Sequence, residues 1–319
     1  MMNILLVKTS SLGDVIHNLP VLSDIKRHLG AACVDWVVEQ PFAGIPALHA
    51  GIGAVVPIAL RRWRKALLHR GTWQEASHFF HQLRQTPYDV VLDTQGLVKS
   101  ALIGRCAHGV HCGFNRASAR ESVAALCYDR VYPVAKNLHA VERNRRLAAQ
   151  VFGYPADGPA DYGITPPMLE RPWRPPGPYA VLLHATSRQD KLWSEDHWKT
   201  LGGYCREKGM TAILPWGNRE EEARSRRLAA TIPGALTPPA LGIPELARLL
   251  ADAAIVVGVD TGLTHLAAAL HTPVVAIYCA SSPGLTGVYA THAVSNLGGA
   301  GAPPAAAQVI HAMEATLCA

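Results

Sequence analysis

Residues 3–14, Asn3-Ile4-Leu5-Leu6-Val7-Lys8-Thr9-Ser10-Ser11-Leu12-Gly13-Asp14, decide the fold class. An apolar run at 3–8 reads as a strand buried on both faces. Small residues and one glycine then make a tight turn, and an amphipathic pattern at 19–29 reads as a helix. The same alternation recurs along the chain. Strands are expected at 33–39, 54–59, 89–94, 110–114 and 130–134, then at 179–185, 211–214, 255–259 and 273–278. Strand–helix alternation calls for parallel sheets with crossover helices. Residues 167–178, PMLERPWRPPGP, exclude a helix or central strand through five prolines. The expected fold is α/β, with two doubly wound Rossmann-like domains facing a central cleft. The first domain spans 1–166, a linker 167–178, and the second domain 179–300. A C-terminal helix over 301–319 can pack back on the first domain.

At 319 residues, the chain suits two domains better than one core. No apolar run reaches the roughly 18–20 residues of a membrane span, and the N-terminus lacks the marks of a signal peptide. The cysteines, Cys33, Cys106, Cys112, Cys127, Cys205, Cys279 and Cys318, are odd in number and form no CxxC pair. That excludes a disulfide framework and a zinc site as leading readings. The net charge of +6 is uneven: residues 1–160 carry 18 Lys and Arg against 11 Asp and Glu, and the remainder carries 12 against 13. The first half is therefore expected to face an anionic partner.

Chemistry gathers where expected strands end, which is where such folds bind ligands. The first turn has neither GxxxxGK[ST] nor GxGxxG; it projects Asp14, a carboxylate able to act as a general base or simply to cap the next helix. After the strand at 255–259, Asp260-Thr261-Gly262 opens a helix whose backbone N–H groups suit a phosphate. His265 lies in its first turn, as a phosphate donor or a packed core histidine. After the strand at 179–185 come Thr186, Ser187 and Lys191, which suit a diphosphate. Ser194 is an expected N-cap, and Trp193 and Trp198 are expected packing residues. Glu221, in Trp216-Gly217-Asn218-Arg219-Glu220-Glu221-Glu222, can accept from ribose hydroxyls or serve only as an acidic helix start. The run Arg61-Arg62-Trp63-Arg64-Lys65 is either a solvated surface or an anion contact. Lys99, Arg120 and His139 lie in other loop regions of the same half.

These segments together resemble the bacterial ADP-heptose transferase family of GT-B fold. The resemblance rests on KTSSLGDVIHNLP (8–20), DWVVEQPFAGIPALH (35–49), RRWRKA (61–66), DTQGLVKSA (93–101), HAVERNRRL (139–147), HATSRQDKLWSEDHW (184–198), PWGNREEE (215–222) and VDTGLTHLAAAL (259–270). The third and fourth favour members that add the first heptose. Cys279-Ala280-Ser281-Ser282 departs from the Gly-Pro-Thr-Asp-like turn expected there, and the tail after about residue 290 is dissimilar.

The resemblance implies inverting transfer of L-glycero-D-manno-heptose from ADP-heptose to the Kdo region of the lipopolysaccharide inner core, Kdo2-lipid A. It implies Asp14 as base. Thr186, Ser187, Lys191, Glu221, Asp260, Thr261, Gly262 and His265 would hold the donor. Ser11, Gly13, Arg61, Arg62, Arg64, Lys65, Lys99, Arg120 and His139 would face the acceptor. No DxD occurs in the sequence; a divalent cation acting on the nucleotide, rather than one held by protein, is compatible, and no tightly bound cofactor is expected. A cytoplasmic enzyme, peripheral on the inner face of the inner membrane and not bound to nucleic acid, is the expected setting. The competing classes are a heptosyltransferase acting on a later core sugar, a nucleotide-cofactor oxidoreductase or epimerase, and a non-catalytic binder of anionic lipid or nucleic acid.

Overall fold

β1 (Asn3–Val7) is buried from Ile4 to Val7 because strands flank it on both sides and helices cover both faces. The computed structural model describes residues 1–290 and 292–318. It divides into two units, Met1–Gly163 and Ile164–Ala319.

In the first unit β2 (Cys33–Glu39), β3 (Val55–Ile58), β4 (Pro87–Asp93), β5 (His108–Phe114) and β6 (Arg130–Tyr132) join β1 in one sheet. Its order is β3-β2-β1-β4-β5-β6, with every pairing parallel. The chain reverses its direction of winding between β1 and β4, so the crevice beyond their C-terminal ends is the natural ligand position. One face packs Leu5, Val7, Val37 and Val91 against Trp63, Phe79 and Leu83.

The second unit has β7 (Tyr179–Leu183), β8 (Thr211–Ile213), β9 (Ile255–Val259), β10 (Val274–Tyr278) and β11 (Val294–Gly298) in the order β11-β10-β9-β7-β8. Beyond β8, Leu236 pairs with Ile213 through a single parallel bridge, a remnant of a further edge strand. The reversal here lies between β7 and β9. Gly258 permits close helix–strand contact in this sheet: a Cβ there would lie 2.3 Å from Thr264 Oγ1 and 2.9 Å from Leu183 Cβ. Trp193 and Trp198 are buried with rings perpendicular at 5.0 Å, and Trp193 Nε1 donates to Pro304 O at 2.9 Å. They are packing residues.

Two boundaries differ from the sequence reading. The units divide at Gly163/Ile164, and the proline-rich segment is tied to the second unit. Arg171 pairs with Asp252 and donates to the Tyr179 hydroxyl, while Arg174 covers the Tyr179 ring. The helix Ala306–Cys318 buries Val309, Ala312 and Met313 in the second unit's core.

Candidate active site

In the first unit the turn after β1 and the turn after β4 are stitched together by one side chain. Gln95 Oε1 accepts from Thr9 N at 2.7 Å and Thr9 Oγ1 at 2.8 Å, while its Nε2 donates to Ser10 O at 2.9 Å. Lys8 Nζ donates to Thr94 O at 2.9 Å. Beneath them lies Asp93, fully buried. Its Oδ2 accepts from Ser100 and Tyr128 hydroxyls at 2.8 and 2.9 Å, and its Oδ1 accepts from Gln95 N and Gly96 N at 2.7 and 3.1 Å. Burial raises the pKa of Asp93 against these bonds. Burial lowers that of Lys8, opposed by the nearby charges of Asp14 and Asp93.

Asp14 stands on this platform, third residue of the helix Leu12–Ile16. Its Oδ2 accepts from Ser11 N at 2.9 Å, the acidic half of a capping box, and from Ser11 Oγ at 3.0 Å. Arg120 lies 3.8 Å from the same oxygen. Among the described residues no hydrogen bond reaches Oδ1, and the side chain keeps 26% of its exposure. Capping and proton abstraction are thus compatible at one carboxylate: one oxygen is held by the helix start, and the other is open to a substrate hydroxyl.

Further cations lie in the neighbouring turns. Lys99 Nζ donates to Ser10 Oγ at 3.2 Å. Arg143 crosses the Phe114 ring at 5.0 Å and donates to Ser118 O at 2.6 Å. Burial lowers its pKa, and the charge of Arg120 lowers it further. His139 caps the helix Ala140–Phe152 and lies 5.3 Å, ring to ring, from His17, the residue that follows the Asp14 helix. Gly13 sits in that helix, its carbonyl accepting from His17 N at 2.8 Å. Two members of this cluster, Gln95 and Arg143, escaped the sequence reading; both sit inside quoted motifs, but nothing local marks their partners.

The basic run follows β3, with Arg61 N donating to Glu39 Oε1 at 2.8 Å and Glu39 N to Thr9 O at 3.0 Å. Arg61, Arg62, Arg64 and Lys65 are exposed and Trp63 is buried. Arg62 donates to Glu75 Oε1 at 2.5 Å, Trp63 Nε1 to Glu75 Oε2 at 3.0 Å, and the Arg61 guanidinium lies 5.1 Å from the Phe42 ring centroid.

The second unit builds its site at the reversal between β7 and β9. Thr186 Oγ1 donates to Asp260 O at 3.2 Å, and Lys191 Nζ to Asp260 Oδ2 at 2.6 Å. Ser281 Oγ donates to the same oxygen at 2.6 Å, and His265 Nε2 lies 3.8 Å from Oδ1. Burial disfavours the Asp260 charge, yet His265, Lys191 and Ser281 outweigh it and hold this carboxyl below the usual range. Ser281 belongs to the segment that departs from the expected turn. Here the departure supplies a ligand to Asp260.

Thr261 caps the helix Gly262–Ala269 without a side-chain bond, so the first N–H groups point past the strand end. Ser187 follows Thr186 and is exposed. Glu221 folds back so that its Oε2 accepts from Gly217 N at 2.8 Å, while Asn218 caps the helix Arg219–Thr231. Ser194 caps the helix Glu195–Glu207, accepting from His197 N at 3.3 Å. Among the described residues no group of three His, Cys, Asp or Glu side chains is placed to hold a metal, and no helix is long and apolar enough to cross a membrane.

The family model of glycosyltransferase family 9 (heptosyltransferase) matches residues 76–310. The chain is a family 9 glycosyltransferase. Lipopolysaccharide heptosyltransferase 1 of Escherichia coli K12 is 46% identical to this glycosyltransferase over 290 residues, 90% of this chain and 91% of the relative. That of Pseudomonas aeruginosa PAO1 is 45% identical over 293 residues, 90% and 81% of the two chains. Among solved structures, E. coli heptosyltransferase WaaC with ADP superposes at a TM-score of 0.91 with 41% identity, covering 99% of this chain and 100% of that one. WaaC with ADP-2-deoxy-2-fluoro heptose does so at 0.86, with 40% identity and 98% of each chain. Membership of this family sets aside the oxidoreductase and the non-catalytic binder.

Proposed function

We propose that this glycosyltransferase moves L-glycero-D-manno-heptose from ADP-heptose to a Kdo hydroxyl of the lipopolysaccharide inner core, with inversion at the anomeric carbon. Likeness to lipopolysaccharide heptosyltransferase 1 over nine-tenths of the chain supports the donor and the acceptor. The observation that carries the mechanism is Asp14: a part-exposed carboxylate at the β1/β4 reversal, with Arg120 3.8 Å from one of its oxygens.

Asp14 takes the proton of the acceptor hydroxyl as that oxygen bonds the anomeric carbon. The bond from that carbon to the β-phosphate oxygen breaks, and ADP leaves with the electron pair. A diphosphate needs no carboxylic acid to depart, so one carboxylate suffices where glycoside hydrolysis uses two. Lys191, His265 and the N–H groups following Thr261 stabilise the charge that grows on the phosphate; removing one such group costs about 2.7–4 kcal/mol in comparable sites. Asp260 acts through Lys191, holding the ammonium beside the strand ends. Thr186, Ser187 and Gly262 line the phosphates, and Glu221 turns from Gly217 to the ribose. A divalent cation, where one takes part, rides on the nucleotide.

Ser11, Gly13, Lys99, Arg120 and His139 border the acceptor hydroxyl, and Arg61, Arg62, Arg64 and Lys65 meet its anionic groups. In this reading the enzyme works from the cytoplasm at the inner face of the inner membrane, where it would meet a glycolipid acceptor. Incubation with ADP-heptose and a de-acylated Kdo acceptor tests the reading. ADP release, a product heavier by one heptose and an inverted anomeric signal are expected. ADP release without a glycosylated product would overturn it.

A further inference from the structure

The segment between β3 and the helix Arg70–Gln85 carries more than cations. Leu67 is 54% exposed, Leu68 fully exposed and Trp73 63% exposed. The leucines project from this loop and Trp73 from the start of the helix that follows it. Trp63 is buried below it and bonded to Glu75, Thr72 Oγ1 donates to Ala66 O at 2.8 Å, and Trp73 Nε1 donates to Leu67 O at 2.7 Å. Backbone bonds from His69 N to Ala66 O and from Thr72 N to His69 O close the turn. The fold therefore spends structure on holding two leucines and an indole in water, where single exposed apolar residues are ordinary but a braced trio is not.

Charge says what covers them. Residues 61–73, RRWRKALLHRGTW, contain five Lys and Arg and no Asp or Glu. Arg61, Arg64, Lys65 and Arg70 are exposed around the leucines. An apolar tip inside a cationic collar, with an indole at its edge, matches the level of a bilayer where anionic headgroups meet acyl chains. The loop also leaves the C-terminal end of β3, the same edge of the sheet that carries Asp14 after β1.

We propose that Leu67, Leu68 and Trp73 form a wedge that inserts into the surface of an anionic phospholipid bilayer, with Arg70 pairing with the headgroups beside it and the acceptor-facing Arg61, Arg64 and Lys65 held at headgroup depth. The proposal rests on the reading of the acceptor as a glycolipid, which would then be met at headgroup depth. Insertion makes part of the binding resistant to salt, whereas a purely ionic contact fades as salt screens it.

The test uses the full-length protein and vesicles of phosphatidylethanolamine and phosphatidylglycerol, with no donor or sugar acceptor present. The parent is expected to co-sediment with these vesicles and not with phosphatidylcholine vesicles. The L67S/L68S double variant should bind about tenfold more weakly at about 0.15 M salt. Brominated acyl chains should quench the parent's fluorescence, and Trp73→Phe should lose that component. Turnover on the soluble de-acylated acceptor should be the same for L67S/L68S and parent, which shows that the variant is folded. Equal vesicle binding by L67S/L68S and parent, or quenching unchanged in Trp73→Phe, overturns the wedge. So does a parent dimer that L67S/L68S dissociates without loss of vesicle binding. Failure of heptose transfer would appear in the soluble assay alone, apart from the vesicle result.

Discussion

Lys191 Nζ lies 2.6 Å from Asp260 Oδ2, joining the segment after β7 to the turn after β9 across 69 residues of sequence. The ammonium proposed to meet a phosphate is thereby fixed by a carboxylate that is itself shared with Ser281 and His265. Orientation is bought here with a charge that the phosphate must then compete against, so Asp260 tunes the site as well as bracing it.

The same cluster sets a pH dependence of stability. Burial opposes the Asp260 charge, but its three partners outweigh burial and depress its pKa. A carboxyl depressed in the folded state binds protons more readily when unfolded. Its contribution is therefore complete above about pH 4 and is lost as the pH falls through the folded value. Asp260→Asn should cost about 1.5–3 kcal/mol near neutrality. The difference from the parent should shrink below about pH 4. Urea denaturation at stepped pH measures both; a gap that widens in acid would contradict the assignment.

Removing the proposed base should separate chemistry from donor binding. Asp14→Ala should lower kcat by about 10²- to 10⁴-fold, in line with general-base contributions. Asp14 belongs to the first unit and the proposed phosphate ligands to the second, so ADP affinity by calorimetry should stay within about twofold of the parent. Turnover near the parental rate would remove Asp14 from the role.

Gly96 controls Arg120 through the backbone. Its φ is +67°, and a Cβ there would lie 3.2 Å from both Arg120 N and Phe114 Cδ2. Gly96→Ala should cost about 1–2 kcal/mol from the left-handed conformation alone. Because Arg120 N must give way, acceptor KM should rise while ADP affinity holds. Thermal denaturation with paired KM measurements checks both effects; an unchanged midpoint would show that the turn relaxes freely.

The basic run should not act uniformly. Arg62 is committed to Glu75, whereas Arg64 has no ion pair among the described residues. Arg64→Ala should raise acceptor KM about fivefold, equivalent to about 1 kcal/mol. Arg62→Ala should raise it less and should loosen Trp63 through their shared Glu75. Initial rates at varied acceptor separate the two, and a larger effect at Arg62 would reverse the ranking.

Much of this protein was legible in its residue order, because strand runs, turns and caps are short-range properties. Ten strands fall where apolar runs lie, Ser194 caps its helix, and the turns bearing Asp14 and Asp260 follow β1 and β9. β11 escaped notice because its edge position leaves Val294, Ser295 and Leu297 half-buried and Asn296 exposed, without a continuous apolar run, and glycines follow it. What the tertiary structure alone decided is partnership. Gln95 meets Thr9 across 86 residues, Ser281 meets Asp260 and Arg143 meets Ser118, because the parallel sheet order seats distant strand ends together. A sequence specifies each turn by local sterics, but a charge or hydrogen bond has meaning only once the crossover helices have set which turns are neighbours.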